Sequence, residues 1–89
     1  MLTMLFHITE CIAWETAQSE GIYRAPSLTT EGFIHFSTLE QVITTANRFY
    51  KGKSGLVLLQ IDPSQLTAPL RYEAVSDHGT FPHHYGPLN

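Results

Sequence analysis

Five histidines in an 89-residue chain, His7, His35, His78, His83 and His84, are the first candidates for chemistry. An imidazole changes charge near neutral pH and serves as acid, base or ligand. Four strings place histidines or carboxylates beside other useful groups. In Glu31-Gly32-Phe33-Ile34-His35-Phe36-Ser37, an extended backbone alternates its side chains. Phe33, His35 and Ser37 then share one face, with Ile34 and Phe36 on the other. Phe6-His7-Ile8-Thr9 repeats the arrangement, with a histidine near a strand end and a hydroxyl two residues later. In Phe81-Pro82-His83-His84-Tyr85-Gly86-Pro87-Leu88, two prolines and a glycine among aromatics indicate a rigid loop. Its adjacent histidines point to opposite sides, so one is expected to enter a pocket. In Arg71-Tyr72-Glu73, the guanidinium and the carboxylate share a strand face. A carboxylate beside a histidine can polarise a hydroxyl or stabilise a developing cation. Each string also has a plainer explanation. Thr9 and Ser37 suit helix caps, a strand histidine suits a hydrogen-bonded core, and Arg71 with Glu73 suits a surface ion pair of small value.

The elements that would position these residues follow from local pattern. Residues 4–8 read as a strand. Thr9 then caps a helix from Glu10 to Ser19 that buries Ile12, Ala13 and Ala17, with Trp14 nearby and Gly21 as its stop. Ile22-Tyr23-Arg24 is short and extended, and residues 27–31 form a polar loop. Gly32–Phe36 is a second strand. Ser37 and Glu40 make a capping box for a helix from Thr38 to about Lys51, in which Leu39, Val42, Ile43, Ala46, Phe49 and Tyr50 recur at helical spacing. Leu56–Ile61 is nearly all apolar, which predicts a central strand covered on both faces. Asp62-Pro63-Ser64 turns the chain, Leu70–Val75 is another strand, and the rest is a structured loop. The order gives one α+β domain over 1–89 with a mixed sheet.

Composition removes several functions. Hydrophobic residues are 43% and charged residues 15%, too apolar for a disordered chain. Net charge is −3, and Arg24, Arg48, Lys51, Lys53 and Arg71 form no extended basic stripe, so no duplex nucleic acid is expected. No apolar run reaches 18 residues, so no membrane partner is expected. The start lacks a signal-peptide pattern, which points to the cytoplasm. A lone Cys11 excludes an internal disulfide framework, and near a helix start its thiol is either activated or an inert packed group. No metal is expected, because Asp77, His78 and His83 lack a recognised ligand spacing. Aromatics and histidines together indicate a small-molecule pocket. The oligomeric state is open.

One further reading comes from resemblance. Phe6-His7-Ile8, Trp14, Tyr23, Glu31-Gly32-Phe33-Ile34-His35-Phe36-Ser37 with Gln41, Leu58-Leu59-Gln60-Ile61-Asp62, Glu73 and Phe81–Leu88 together resemble the bacterial domain-of-unknown-function family 952. The resemblance covers essentially the whole chain. No activity is established for that family, and its fold is similar to that of ADP-ribosyltransferases. The resemblance therefore implies a split sheet with two helices and a cleft for NAD or a related nucleotide. Phe6-His7-Ile8-Thr9 and Ile34-His35-Phe36-Ser37 look like the two histidine strings of the RNA 2′-phosphotransferase branch of that fold. By that match His7 and His35 contact ribose and Ser37 hydrogen-bonds nearby. Tyr23, Phe81 or Tyr85 stacks on nicotinamide, and Glu73 steadies an oxocarbenium-like transition state. Arg71 and His83 complete the expected ligand contacts. Two departures stand out: Ile8 follows His7 where that branch has glycine, and its phosphate-binding arginines have no counterpart. Relatives also continue past the Tyr85-Gly86-Pro87-Leu88 string, so by the resemblance a strand at the sheet edge is expected to be missing. ADP-ribosyl transfer is the enzymatic expectation, and a non-catalytic ligand-binding or interaction module is the alternative.

Overall fold

A computed structural model describes residues 4–75 and 78–88. Strand β1 (Leu5–Glu10) leads directly into helix α1 (Cys11–Glu20), and a five-residue helix α2 (Pro26–Thr30) precedes the two-residue strand β2 (Ile34–His35). Helix α3 (Leu39–Phe49), strand β3 (Leu56–Ile61), a 3-10 turn (Pro63–Gln65) and strands β4 (Leu70–Ala74) and β5 (Thr80–His84) follow. The strands form two sheets, β1-β3 and β2-β5-β4. Every pairing between them is antiparallel, so the α+β class stands and the mixed sheet does not. Among the described residues, one bridge between Phe6 and Ser37 joins the two sheets.

Alternation builds the core. Leu5, His7 and Thr9 are buried along β1, and Ile34 and Phe36 are buried either side of exposed His35. Leu5, Ala17, Tyr23, Ala25, Ile34 and Phe36 form the central cluster, with Trp14, Leu28, Ile61, Leu66, Leu70 and Leu88 packed against it. Tyr23 is pinned by reciprocal backbone bonds to Leu88, 2.7 and 2.9 Å long.

Several boundaries differ from the sequence reading. Thr9 stays in β1 and Glu10 occupies the N-cap of α1. Ile12 is 79% exposed, so the buried face of α1 is carried by Trp14 and Ala17 instead. Gly21 does end that helix, at φ +80°, where an L side chain would be strained. The polar segment at 27–31 is largely helical, because Pro26 at its first turn is pre-set for helix. The capping box of α3 sits one residue later than expected. Thr38 N–H donates to Gln41 Oε1 at 3.0 Å, while Ser37 is drawn off into pairing with Phe6. Among the described residues β3 pairs with β1 alone, and Leu58 is 56% exposed, so it is not a central strand covered on both faces.

The largest difference is β5. A segment that reads as a Pro-rich loop is the middle strand of its sheet. Proline removes a ladder donor and normally stays at edges. Here Pro82 C=O accepts from Phe36 N–H at 2.9 Å, on the side of β2. A strand residue's N and O face the same neighbour, so the missing donor faces the end of β2 beside Phe36 and the ladder to β4 is left intact.

Candidate functional site

Cross-strand register fixes which side chains meet. His35 lies opposite His83, which lies opposite Arg71, and Glu73 lies opposite Phe81. Directly opposed residues share a sheet face, as do residues two apart. Phe33, His35, Phe81, His83, Tyr85, Arg71 and Glu73 therefore occupy one face of the three-stranded sheet. The opposite face carries Ile34, Pro82, His84 and Leu70 toward the core. Seven of the sequence-selected residues are thus gathered on one surface.

Phe33 stacks on the His83 ring, with centroids 4.0 Å apart and planes inclined by 14°. His35 meets His83 edge-on at 5.1 Å. His83 is 3% exposed. Its Nδ1–H donates to Glu73 Oε1 at 2.9 Å, and the Tyr85 hydroxyl donates to the same oxygen. The two donors and the nearby Arg71 charge hold the Glu73 carboxyl below its ordinary pKa, with Tyr85 the largest contributor. Tyr85 is held above the phenol value by the same bond. The Arg71 guanidinium lies over the Tyr85 ring, 5.4 Å from its centroid. On the rim, His35 Nε2 sits 2.6 Å from Glu31 Oε2. His83 Nε2 is buried and has no hydrogen-bond partner among the described residues. With Nδ1–H committed to Glu73, Nε2 of the neutral ring presents a lone pair. The ring is oriented by a carboxylate and keeps one acceptor in reserve.

The other three candidates lie elsewhere. His7 is 7% exposed and packs edge-on to Phe36, at 5.9 Å, on the core side of β2. Its Nδ1–H donates 2.6 Å to the backbone carbonyl of His35, and its Nε2 lies 2.7 Å from the Tyr23 hydroxyl. Tyr23 Oη is 2.9 Å from Thr9 Oγ1. Because Nδ1 carries the proton, Nε2 accepts a hydrogen bond from the Tyr23 O–H, and the Thr9 hydroxyl donates to Oη. Burial holds His7 below the usual histidine pKa and Tyr23 above the usual phenol pKa. The side chains of His7 and His35 consequently point to opposite sides of β2 and do not meet in one recess. Ser37 is buried too, with its Oγ 3.4 Å from Thr45 Oγ1 on α3, off the His35 face. The alternation that paired Ser37 with His35 ends where β2 ends.

Two residues carried no assigned role from pattern alone. Glu31 reaches His35 from the end of α2, a contact visible in sequence only as an i,i+4 spacing. His84, fully buried on the core face, donates from Nδ1 to Gly86 C=O at 2.8 Å. Cys11 is not activated: its Sγ–H donates to Glu15 Oε1 at 3.4 Å, and that contact pushes the thiol pKa up. Among the described residues no three His, Cys, Asp or Glu side chains cluster as metal ligands, and Asp77 lies outside the described residues. Among them, too, no helix is long and apolar enough to cross a membrane.

Comparison with known proteins agrees with this architecture. The family model "Protein of unknown function (DUF952)" matches residues 8–89, and the chain belongs to that family. No curated protein matches the chain. The crystal structure of protein CC0527 from Caulobacter crescentus superposes with a TM-score of 0.86 at 33% identity, over 97% of this chain and 76% of that one. The solution NMR structure of CC0527 gives a TM-score of 0.83 at 33% identity, over 98% of this chain and 76% of that one.

Proposed function

We propose that this member of the DUF952 family binds a small ligand bearing a planar ring on the sheet face of Phe33, His35, Arg71, Glu73, His83 and Tyr85. The observation that carries the reading is His83. It is buried, its tautomer is set by Glu73, and its Nε2 has no partner among the described residues. A buried acceptor without a partner costs stability that a ligand donor would return. Phe33 and Tyr85 supply ring surfaces beside it, and His35 with Glu31 supplies polar contacts at the rim.

NAD or a related nucleotide is the narrower version of this ligand, and an ADP-ribosyltransferase-like fold is the matching version of the architecture. In favour stand the two separate sheets and the strand-end histidines that resemble that fold. The version needs three adjustments. His7 acts as a positioning residue, because it holds the His35 backbone rather than facing the ligand. Arg71 is the one cation among the six residues, so a pyrophosphate would lean on backbone N–H groups. Glu73 is engaged by His83 and Tyr85, so steadying a developing cation requires it to release one of them. Binding without turnover therefore fits the residues better than transfer. A base-catalysed step through His83 Nε2 remains the enzymatic form of the same site.

Isothermal titration with nicotinamide, ADP-ribose and NAD tests the proposal. Saturable heat is expected with at least nicotinamide. His83→Ala abolishes it, while Glu73→Gln, which loosens the ring's orientation, weakens it. No heat from any of the three at millimolar concentration, with the protein folded, overturns the nucleotide version. Perturbed Phe33 and His83 resonances with a different heteroaromatic compound would keep the site and change its ligand.

A further inference from the structure

On the far side of β5 from His83, a cleft of about 340 Å³ opens between β3, the turn that follows it and the last described residues. Its apolar wall includes Trp14, Ile61, Leu66 and Leu88. Its polar rim includes Gln60, Gln65 and Thr67, and the His84 ring forms part of its lining. The volume falls within the range of small-molecule sites, which are mostly apolar with a few placed polar groups.

His84 is the placed polar group. Its ring stacks on Phe36 at 5.6 Å, with planes inclined by 16°, which fixes its orientation. Nδ1–H is committed to Gly86 C=O, so in the neutral ring Nε2 is an acceptor. That Nε2 is buried and has no partner among the described residues, and the residue is 0% exposed. Burial also favours the neutral ring, in agreement with that tautomer. An apolar cleft whose lining includes the ring of an oriented histidine with one unsatisfied acceptor fits a mainly apolar molecule with a single O–H or N–H donor.

We infer that this cleft is a second binding site, distinct from the His35–His83 face, for a small uncharged aromatic alcohol or amide whose donor bonds His84 Nε2. An anion is disfavoured, because a lone-pair acceptor repels it and Asp62 adds negative charge at the cleft. The site is independent of the proposal for the other face, because His83 and His84 point to opposite sides of the same strand.

Phenol and anisole are suitable probes, since they differ in the hydroxyl donor. Both are titrated into the whole chain, followed by backbone and histidine-ring NMR. Phenol is expected to bind saturably, to shift Trp14, Leu66 and Leu88, and to move the His84 Nε2 nitrogen as a new hydrogen bond forms. Anisole is expected to bind about tenfold more weakly, the loss of one hydrogen bond to a buried acceptor. His84→Phe is expected to equalise the two probes. Should that variant fail to fold, Thr67→Trp, which fills the exposed rim, is expected to block phenol while leaving the Phe33 and His83 resonances unchanged. Equal binding of phenol and anisole overturns the inference. So does the absence of shifts at the cleft, or an ordered water that stays on His84 Nε2 at saturating phenol.

Discussion

At the scale of single residues, the molecule rests on buried polar groups that satisfy one another. Tyr23 is the clearest case. Its hydroxyl serves His7 and Thr9 at once, and all three residues are less than a tenth exposed. Tyr23→Phe leaves His7 Nε2 without a donor and Thr9 without an acceptor. A loss of about 2–4 kcal/mol is expected, from two orphaned buried groups, and urea denaturation of both proteins at pH 7.5 checks it. Sequence carried the identities of these groups but not their pairing. A strand histidine followed by Thr9 reads as a site or a cap, and nothing local says that a tyrosine 14 residues on will occupy both. Conversely, Phe33 with His35, and Arg71 with Glu73, were legible as same-face pairs, whereas Phe81, His83 and Tyr85 lay in a segment that reads as a loop and join them only through the strand register. Alternation places residues two apart on one face, and register then aligned three strands.

At the scale of elements, local pattern succeeded where local forces decide. Leu56–Ile61 appears with the boundaries its apolar run indicated, and α3 keeps its core within two residues of each expected end. Pattern failed where distant partners decide. Pro82 sits in a middle strand with its missing donor turned to the end of the two-residue β2, and no window around Pro82 contains that information. Two predictions belong here. A Cβ added at Gly86 would lie 2.6 Å from the Ala68 Cβ, so Gly86→Ala must push two chain segments apart. Strain of about 1–3 kcal/mol is expected, read as a lower thermal midpoint. Ile43 on α3 is 72% exposed, despite its place in the apolar repeat. Ile43→Ser should therefore change stability by less than about 0.5 kcal/mol, whereas Val42→Ser, on the buried face, should cost several times more.

At the scale of the whole molecule, acid is the expected weakness. His7 and His84 both have pKa values below the ordinary 6.5 because they are buried. Below that value the unfolded chain takes up protons that the folded chain refuses. Stability is therefore full above about pH 6.5 and falls as the pH drops beneath it. Each histidine contributes at most ~1.4 kcal/mol per pH unit to the slope. Glu73, held below its ordinary value, adds a loss of the same sign further down, as pH falls through its folded-state pKa. Urea midpoints at pH 7.5, 6.0 and 5.0 should decline in that order. A midpoint constant across that range would mean that one or both rings accept a proton without unfolding.

The Tyr23 hydroxyl has one more consequence. Sheltered at 3% exposure and held between His7 Nε2 and Thr9 Oγ1, its proton trades places with solvent only when the surrounding segments part. It should give a discrete downfield signal in water, one that most tyrosines lose to rapid exchange. The rate at which that signal fades into the water line would then time the breathing of the interior, read from a single atom.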